Sequence, residues 1–156
     1  MTSTTSTADT VWLERLLLLL VTAVTLALLD QAVKHSFSAP AWTLHQRSGL
    51  WFAGCCLILV AAPPLARVPS KTVALAAGIF CGGVLGNLLS ASQDALQVPN
   101  PIVIGHASEA VAFNVADLFI IGGNVLLMAA LMVVLIRNRD RLPVRGGLQL
   151  RRRRVK

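Results

Sequence analysis

Charged residues, tyrosine, cysteine and histidine are all scarce in this sequence of 156 residues. Only 13% of the residues are charged whereas 55% are apolar, tyrosine is absent, and there are three cysteines and three histidines. This composition excludes a disordered chain and a collagen-like repeat. The length leaves room for one domain.

The cysteines and histidines form no pattern that indicates a disulfide or a metal site. Cys55, Cys56 and Cys81 fall within apolar runs, where a free thiol behaves as a small buried hydrophobe. The histidines are not spaced as metal ligands, and we expect His45 and His106 to lie in loops. We therefore expect no metal and no cofactor.

The apolar residues are concentrated in four long runs, at 16–29, 50–66, 72–90 and 118–136. With its flanks each run reaches roughly 20 residues, about the length of a helix that crosses a membrane. Open sheet edges are not tolerated in lipid, so all four runs are predicted to be helices. The first run, extendable to 12–33, could also be a cleaved signal peptide. We favour a helix because the run ends in Asp30-Gln31-Ala32-Val33-Lys34, without a small-residue cleavage site.

The basic residues are distributed unevenly between the two ends of these helices. Of fourteen Lys and Arg residues, only Lys34 and Arg47 fall on one side; the other twelve include nine in 137–156. The positive-inside rule then places both termini and the 67–71 turn in the cytoplasm, with 34–49 and 91–112 facing outward. The net charge of +7 thus orients a membrane protein and requires no nucleic-acid partner.

The two ends of the chain differ from the apolar middle. Residues 1–11 are predicted to be a disordered cytoplasmic leader, 12–138 the membrane domain, and 139–156 a basic cytoplasmic tail. The run of four arginines at 151–154 favours anchoring to anionic headgroups. A small accessory membrane protein that holds a partner or lipid through this tail is an alternative function.

Four of the seven acidic residues lie at or just beyond the outward ends of the predicted helices: Asp30, Asp94, Glu109 and Asp117. Antiparallel helices would bring Asp30, Asp117 and Asn87 to the same leaflet. Ionisable groups at membrane depth are costly and usually face a cavity or a partner. A purely structural interpretation stays open, in which Asp117 complements a helix dipole and Asp30 pairs with Lys34.

Three sequence blocks carry a resemblance to a known family. Asp-Gln-Ala-Val-Lys at 30–34, Gly-Gly-Val-Leu-Gly-Asn-Leu at 82–88 and Phe-Asn-Val-Ala-Asp at 113–117 resemble the signature blocks of bacterial lipoprotein signal peptidase, signal peptidase II. The blocks occur in the family's order, so the resemblance covers nearly the whole chain. It implies an all-α membrane protein of four transmembrane helices, with a small extracytoplasmic loop and β region and a short periplasmic helix.

The resemblance also implies an activity and a location. The family is an aspartic endopeptidase of the bacterial cytoplasmic (inner) membrane, which removes signal peptides from prolipoproteins just before a lipid-modified cysteine. The partners implied are prolipoprotein signal peptides and membrane lipids, and we expect a monomer. In such an enzyme two facing carboxylates share a proton, so that one activates water while the other assists the scissile carbonyl.

One of the two carboxylates matches the family, and the other does not. Asp117 falls on a catalytic Asp of the family, and the supporting positions are matched by Asp30, Lys34, Asn87 and Asn114. The family's second Asp corresponds to Asn100, which cannot take a proton from water. A different alignment, with an insertion and a deletion, would make Glu109 the second carboxylate.

Other polar positions of the family are altered as well. Ser48 replaces an Asn of the outward segment, and Ser90-Ala91 replaces an Asp-Arg pair. The sequence therefore leaves the activity open between a divergent peptidase that uses Asp117 with a replacement partner and a non-catalytic homologue that binds lipoprotein signal peptides or lipid.

Small residues on the third predicted helix indicate close packing. Gly78, Gly82, Gly83 and Gly86 form a stripe that lets a neighbouring helix approach, and Gly122 and Gly123 on the fourth helix could supply the other side.

Overall fold

The protein is a bundle of four helices, seen in a computed structural model that describes residues 7–105 and 109–141. The helices are α1 (Thr7–Ser36), α2 (Gly49–Ala61), α3 (Lys71–Gln93) and α4 (Val115–Arg137). Each is long and apolar enough to cross a membrane, when α2 is taken with the 3-10 turn that follows it. The predicted all-α membrane fold is confirmed.

The helix bounds differ from the apolar runs mainly at the start of the chain. α1 begins at Thr7, so the predicted disordered leader is wrong for residues 7–11, which are helical. Asp9 lies in the first turn, where a carboxylate complements the helix dipole and favours this earlier start. Residues 1–6 lie outside the described residues. Of the predicted tail, Arg139–Arg141 form a 3-10 turn and 142–156, with the four arginines, lie outside.

The second apolar run is divided by two prolines. α2 ends at Ala61, and Pro63–Arg67 continue as a 3-10 turn. Proline has no backbone N–H and its ring clashes with the preceding turn, so the α-helix cannot pass Pro63-Pro64. The backbone then turns into α3, which Ser70 caps by accepting a hydrogen bond from the Val73 amide.

α3 is the central helix, and glycines bring its neighbours close. A Cβ atom at Gly78 would lie 2.8 Å from Thr22 Cβ, and one at Gly82 would lie 2.9 Å from Leu26 Cβ, both on α1. Gly83 faces the start of α4 instead. The predicted small-residue stripe is therefore real. On α4, Gly123 packs against the α3 backbone at Phe80 as predicted, whereas Gly122 has no neighbour within 4 Å among the described residues.

Two pairs of short antiparallel strands lie between the helices. β1 (Leu44–Gln46) pairs with β2 (Gln97–Pro99), and β3 (Ile102–Ile104) pairs with β4 (Val111–Phe113). This confirms a small β region. The short helix that the resemblance implied has no α-helical counterpart among the described residues between the membrane helices; a 3-10 turn at Ala41–Thr43 precedes β1.

The turn between α3 and β2 is held in an unusual backbone conformation. Ala95 and Leu96 have φ angles of 43° and 66°. Gln46 Nε2 donates to the Ala95 carbonyl at 2.9 Å, and the Arg47 amide donates to the Leu96 carbonyl at 2.9 Å. β1 therefore stabilises the turn that positions β2 and the residue after it, Asn100.

At the end of the bundle away from the strands, Arg15 connects α1 to the segment between α2 and α3. Arg15 Nη1 donates to the Val68 carbonyl at 2.7 Å, which brings the first turns of α1 to the connection between α2 and α3. Arg15, Arg67 and Lys71 thus share one end of the bundle, as the charge distribution predicted, and Asp30 and Asp117 lie at the other.

Candidate functional site

A buried ion pair forms the centre of the site. Asp30 and Lys34 lie one turn apart on α1, with Lys34 Nζ 2.7 Å from Asp30 Oδ2 and side-chain exposures of 0% and 3%. Lys34 Nζ also donates to Asn87 Oδ1 at 2.9 Å and to Ser90 Oγ at 3.1 Å. A buried pair is tolerated when further hydrogen bonds satisfy both ions, as they do here.

Asp30 connects three helices. Its Oδ1 accepts from the Ala116 amide of α4 at 2.9 Å, and its Oδ2 accepts from Gln31 Nε2 at 3.2 Å as well as from Lys34. α3 approaches this carboxylate at Gly86, where a Cβ atom would lie 2.8 Å from Asp30 Oδ2. Asp30 therefore does more than pair with Lys34 along one helix.

Asp117 is positioned by two asparagines. Its Oδ1 accepts from Asn87 Nδ2 at 2.9 Å and its Oδ2 accepts from the Asn114 amide at 3.2 Å, while Asn114 Oδ1 accepts from the Asp117 amide at 2.9 Å. The last two bonds form a capping box at the start of α4. Asp117 thus completes the capping box of α4 as its N3 residue and also contacts the buried polar residues through Asn87.

These six side chains, which we call the polar cluster, are Asp30, Gln31, Lys34, Asn87, Ser90 and Asp117. Asp30 is fully buried, whereas Asp117 is partly exposed. A cleft of about 170 Å³ opens beside Lys34 and Ser90, with Asp94 on its wall. Of the two carboxylates in the polar cluster, Asp117 is the accessible one, because it is partly exposed whereas Asp30 is buried.

Asn100 lies beyond β2 and is buried, with 2% exposure. Its Oδ1 accepts from Asn114 Nδ2 at 2.6 Å. Its Nδ2 donates to the Ala112 carbonyl at 3.2 Å and lies 2.7 Å from Nδ1 of His45, which then acts as the acceptor. The side-chain oxygen and nitrogen of Asn100 are thus both engaged by the protein.

Asn100 and Asp117 are connected through Asn114, which contacts both. Within residues 7–105 and 109–141 no hydrogen bond joins Asn100 directly to Asp117. An amide in this state offers neither a base nor a free donor to a water molecule near Asp117. Chemically, the arrangement provides one accessible carboxylate supported by amides.

The remaining predicted site residues lie outside this arrangement. Glu109 is exposed in the connection between β3 and β4, where its carbonyl lies close to Gly105, a glycine with φ +100°. In the described residues Glu109 forms no ion pair or hydrogen bond with Asp117. Ser48 caps α2 by accepting from the Trp51 amide at 3.1 Å and is not among the partners of the polar cluster.

Sequence reasoning missed three contributors, Gln31, Ser90 and His45. Gln31 Nε2 donates to the Gly86 carbonyl at 2.8 Å and to Ser90 Oγ at 3.1 Å, and Ser90 Oγ donates back to Gly86. The signal for Ser90 was present, since it lies three residues after Asn87 on one helix face. His45 was expected in a loop but lies on β1, and it reaches Asn100 through the pairing of β1 with β2, which the sequence does not reveal. His106 lies outside the described residues.

Metal-binding side chains do not converge here. Across residues 7–105 and 109–141, no group of three or more His, Cys, Asp or Glu residues is placed to hold a metal ion.

No family model and no curated sequence matches this chain. One solved structure is similar, described as "Bacterial membrane enzyme structure by the in meso method at 2.3 A resolution". The likeness covers 82% of this chain and 93% of that one, with a TM-score of 0.59 and 17% identity. At this identity the likeness shows a shared membrane-protein fold and not a shared activity.

Proposed function

We propose that this chain is a membrane protein of the lipoprotein signal peptidase type. It binds signal peptides of lipid-modified proteins but does not cleave them, because it lacks the second catalytic carboxylate. The family resemblance at 30–34, 82–88 and 113–117 supports the type, and the polar cluster brings residues of all three blocks together. The proposed setting is the bacterial cytoplasmic membrane, with both termini cytoplasmic and the polar cluster outward.

We infer the lack of cleavage from the hydrogen bonds of Asn100. Hydrolysis by a dyad needs a second group that exchanges a proton with Asp117, and an amide with both ends occupied cannot do so. General acid–base assistance contributes about 10²–10⁴-fold to a rate. When two catalytic groups act together, removal of one lowers the rate by more than its separate contribution. The Asp117 carboxylate then serves to bind the ligand.

The surroundings of the polar cluster suit an extended, lipid-bearing peptide. Two-stranded sheets leave strand edges free, and an extended peptide can add to such an edge through main-chain hydrogen bonds. Large apolar side chains are exposed just after α1 (Phe37, 61%), in the 3-10 turn before β1 (Trp42, 59%) and on β3 (Ile104, 63%). An acyl chain and an apolar signal helix would contact such surfaces within the membrane.

A second candidate function is cleavage with a different partner for Asp117. The observation that favours it is the contact between His45 and Asn100, because an imidazole can serve as a general acid or base. His45 is exposed on β1 and so is accessible to a ligand. The substitution of Glu109 for the second carboxylate stays a prediction.

The test of the proposed function is a binding measurement with the full-length protein in detergent. A fluorescent prolipoprotein signal peptide carrying a diacylglyceryl-cysteine is titrated, and the same peptide without the lipid serves as the control. We expect saturable binding that weakens at least about tenfold without the lipid, since each buried CH₂ contributes about 0.8 kcal/mol. Equal binding of both peptides, or none, would reject the proposal.

The accessory alternative is tested in the same titration. If the chain acts through its basic tail, deletion of 151–156 abolishes the interaction, whereas Asp117→Ala leaves it intact. The proposed function predicts the opposite pattern, because the ligand is held at the polar cluster.

A further inference from the structure

A second cleft lies at the end of the bundle away from the polar cluster. Its volume is about 410 Å³, within the range of about 300–1,000 Å³ that is usual for ligand sites. It is lined by Asp9, Trp12, Arg15 and Arg67. None of these residues takes part in the proposed peptide binding, so the cleft requires an explanation of its own.

Arg15 is a buried cation on the wall of this cleft. It is 9% exposed, and its Nε and Nη1 donate to the carbonyls of Val11 at 3.2 Å and Val68 at 2.7 Å. No carboxylate lies within ion-pair distance of it in the described residues 7–105 and 109–141. Burying a charge without a counter-charge is costly, so the site favours an incoming anion.

Two other hydrogen-bond donors, Trp12 and Arg67, line the cleft. Trp12 Nε1 is buried and has no hydrogen-bond partner among residues 7–105 and 109–141. Arg67 is exposed and forms no ion pair with any residue that the structure describes. Guanidinium groups and indole N–H groups donate and do not accept hydrogen bonds, so a phosphate offers a counter-charge to the two arginines and an oxygen acceptor to the Trp12 indole.

Asp9 gives the cleft a second chemical preference. Its carboxylate is exposed on the wall of the cleft and has no ion-pair partner among the described residues. Two guanidinium groups and one carboxylate match a ligand that carries both a phosphate and an ammonium group. A ligand with the phosphate alone would leave the carboxylate beside its negative charge.

The position of the cleft identifies where such a ligand would come from. Asp9, Trp12 and Arg15 lie in the first turns of the span Asp9–Ser36, at the level where a spanning helix leaves the hydrocarbon. Tryptophan and arginine are typical of this interface, where lipid phosphates lie. We propose that the cleft binds the headgroup of an aminophospholipid, with its phosphate at Arg15, Arg67 and Trp12 and its ammonium at Asp9.

Native mass spectrometry of the full-length protein in detergent tests this proposal. Phosphatidylethanolamine, phosphatidylglycerol and phosphatidylcholine with identical acyl chains are added separately, and soluble phosphoethanolamine is a fourth ligand. We expect phosphatidylethanolamine to bind most tightly. Arg67→Gln should weaken that binding about tenfold, because it removes a charge-assisted contact. Asp9→Asn should abolish the preference for phosphatidylethanolamine over phosphatidylglycerol while leaving phosphatidylglycerol bound.

Lys71→Gln is the matched control, because it removes one positive charge at the same end of the bundle but outside the cleft. An equal loss in the Lys71 and Arg67 variants would show diffuse charge attraction and overturn the proposal. Tight binding of phosphoethanolamine without acyl chains would overturn the lipid assignment, and so would a preference that survives Asp9→Asn. Arg15 also holds Val68, so the test uses the exposed residues Arg67 and Asp9.

Discussion

The carboxylate of Asp30 on α1 accepts a hydrogen bond from the backbone amide of Ala116, 86 residues later, at 2.9 Å. The amides at the start of a helix have no partner within the helix, so this carboxylate satisfies one that would otherwise be buried unpaired. The same carboxylate pairs with Lys34. The end of α1, the beginning of α4 and α3 at Gly86 are therefore fixed around one buried group.

Removal of Lys34 should strongly destabilise the protein. Lys34→Met leaves Asp30 as a buried carboxylate without its cation, and breaking such a pair costs about 3–5 kcal/mol. The measurement is the free energy of unfolding in detergent. Lys71→Met is the matched control, since Lys71 is 73% exposed and its pair with Glu14 spans 3.4 Å. It should change the stability by less than about 1 kcal/mol.

The double variant Asp30→Asn with Lys34→Met should recover part of that loss, because no unpaired charge then remains buried. If the double variant is less stable than Lys34→Met alone, the unpaired Asp30 carboxylate is not the cause of the lost stability.

Gly86 should tolerate no side chain. Gly86→Ala places a methyl group 2.8 Å from Asp30 Oδ2. Either α3 or the Asp30 carboxylate must then move, and such overpacking costs about 1–3 kcal/mol of stability. Gly122→Ala on α4 is the control, because no described residue lies within 4 Å of its Cβ position and alanine favours the helix by up to about 1 kcal/mol. The thermal midpoints of the two variants should therefore shift in opposite directions. Equal shifts would mean that α3 does not approach Asp30 closely.

Asn114 should matter more than an ordinary helix cap. Asn114→Ala removes the capping box of α4 and also the bond from Nδ2 to Asn100. Ser70→Ala removes only one capping hydrogen bond, at the start of α3, and should lower the free energy of unfolding by about 1 kcal/mol. We expect Asn114→Ala to cost at least twice as much in the free energy of unfolding. Equal costs would show that the contact between Asn114 and Asn100 contributes nothing.

The membrane fold could be predicted because it depends on local properties of the sequence. Four apolar runs of helical length leave few alternatives in lipid, and the runs at 72–90 and 118–136 coincide closely with α3 and α4. The extended start of α1 at Thr7 was missed because polar residues there gave no apolar signal. The proline pair at Pro63-Pro64 set the end of α2, which apolarity alone placed later.

The candidate site could be predicted only in part. Asp30, Lys34, Asn87 and Asp117 lie at helix ends, and antiparallel packing brings such ends together. The contact of His45 with Asn100 depends on the register of β1 against β2, in which His45 pairs with Val98. Register between three-residue strands is set by tertiary packing, so no pattern within either strand reveals it.

Replacement of Asn100 by an acid should restore a pair of carboxylates. In Asn100→Asp the bond from Asn114 Nδ2 can persist, because the oxygen that accepts it is retained. We expect cleavage of a lipid-modified prolipoprotein to rise by about 10² or more over the unaltered protein. The matched control is the double variant with Asp117→Asn, which should return to the background rate. No gain in a folded Asn100→Asp variant would contradict the role given to this position.

The most direct measurement is mass spectrometry of a diacylglyceryl-modified prolipoprotein after incubation with an equimolar amount of the unaltered protein. We expect the substrate to stay intact and to be recovered bound to the protein. Release of the signal peptide, with a new amino terminus at the lipid-modified cysteine and loss of this product in Asp117→Asn, would contradict it. That result would make the chain a peptidase in which a residue other than Asn100 serves as the partner of Asp117.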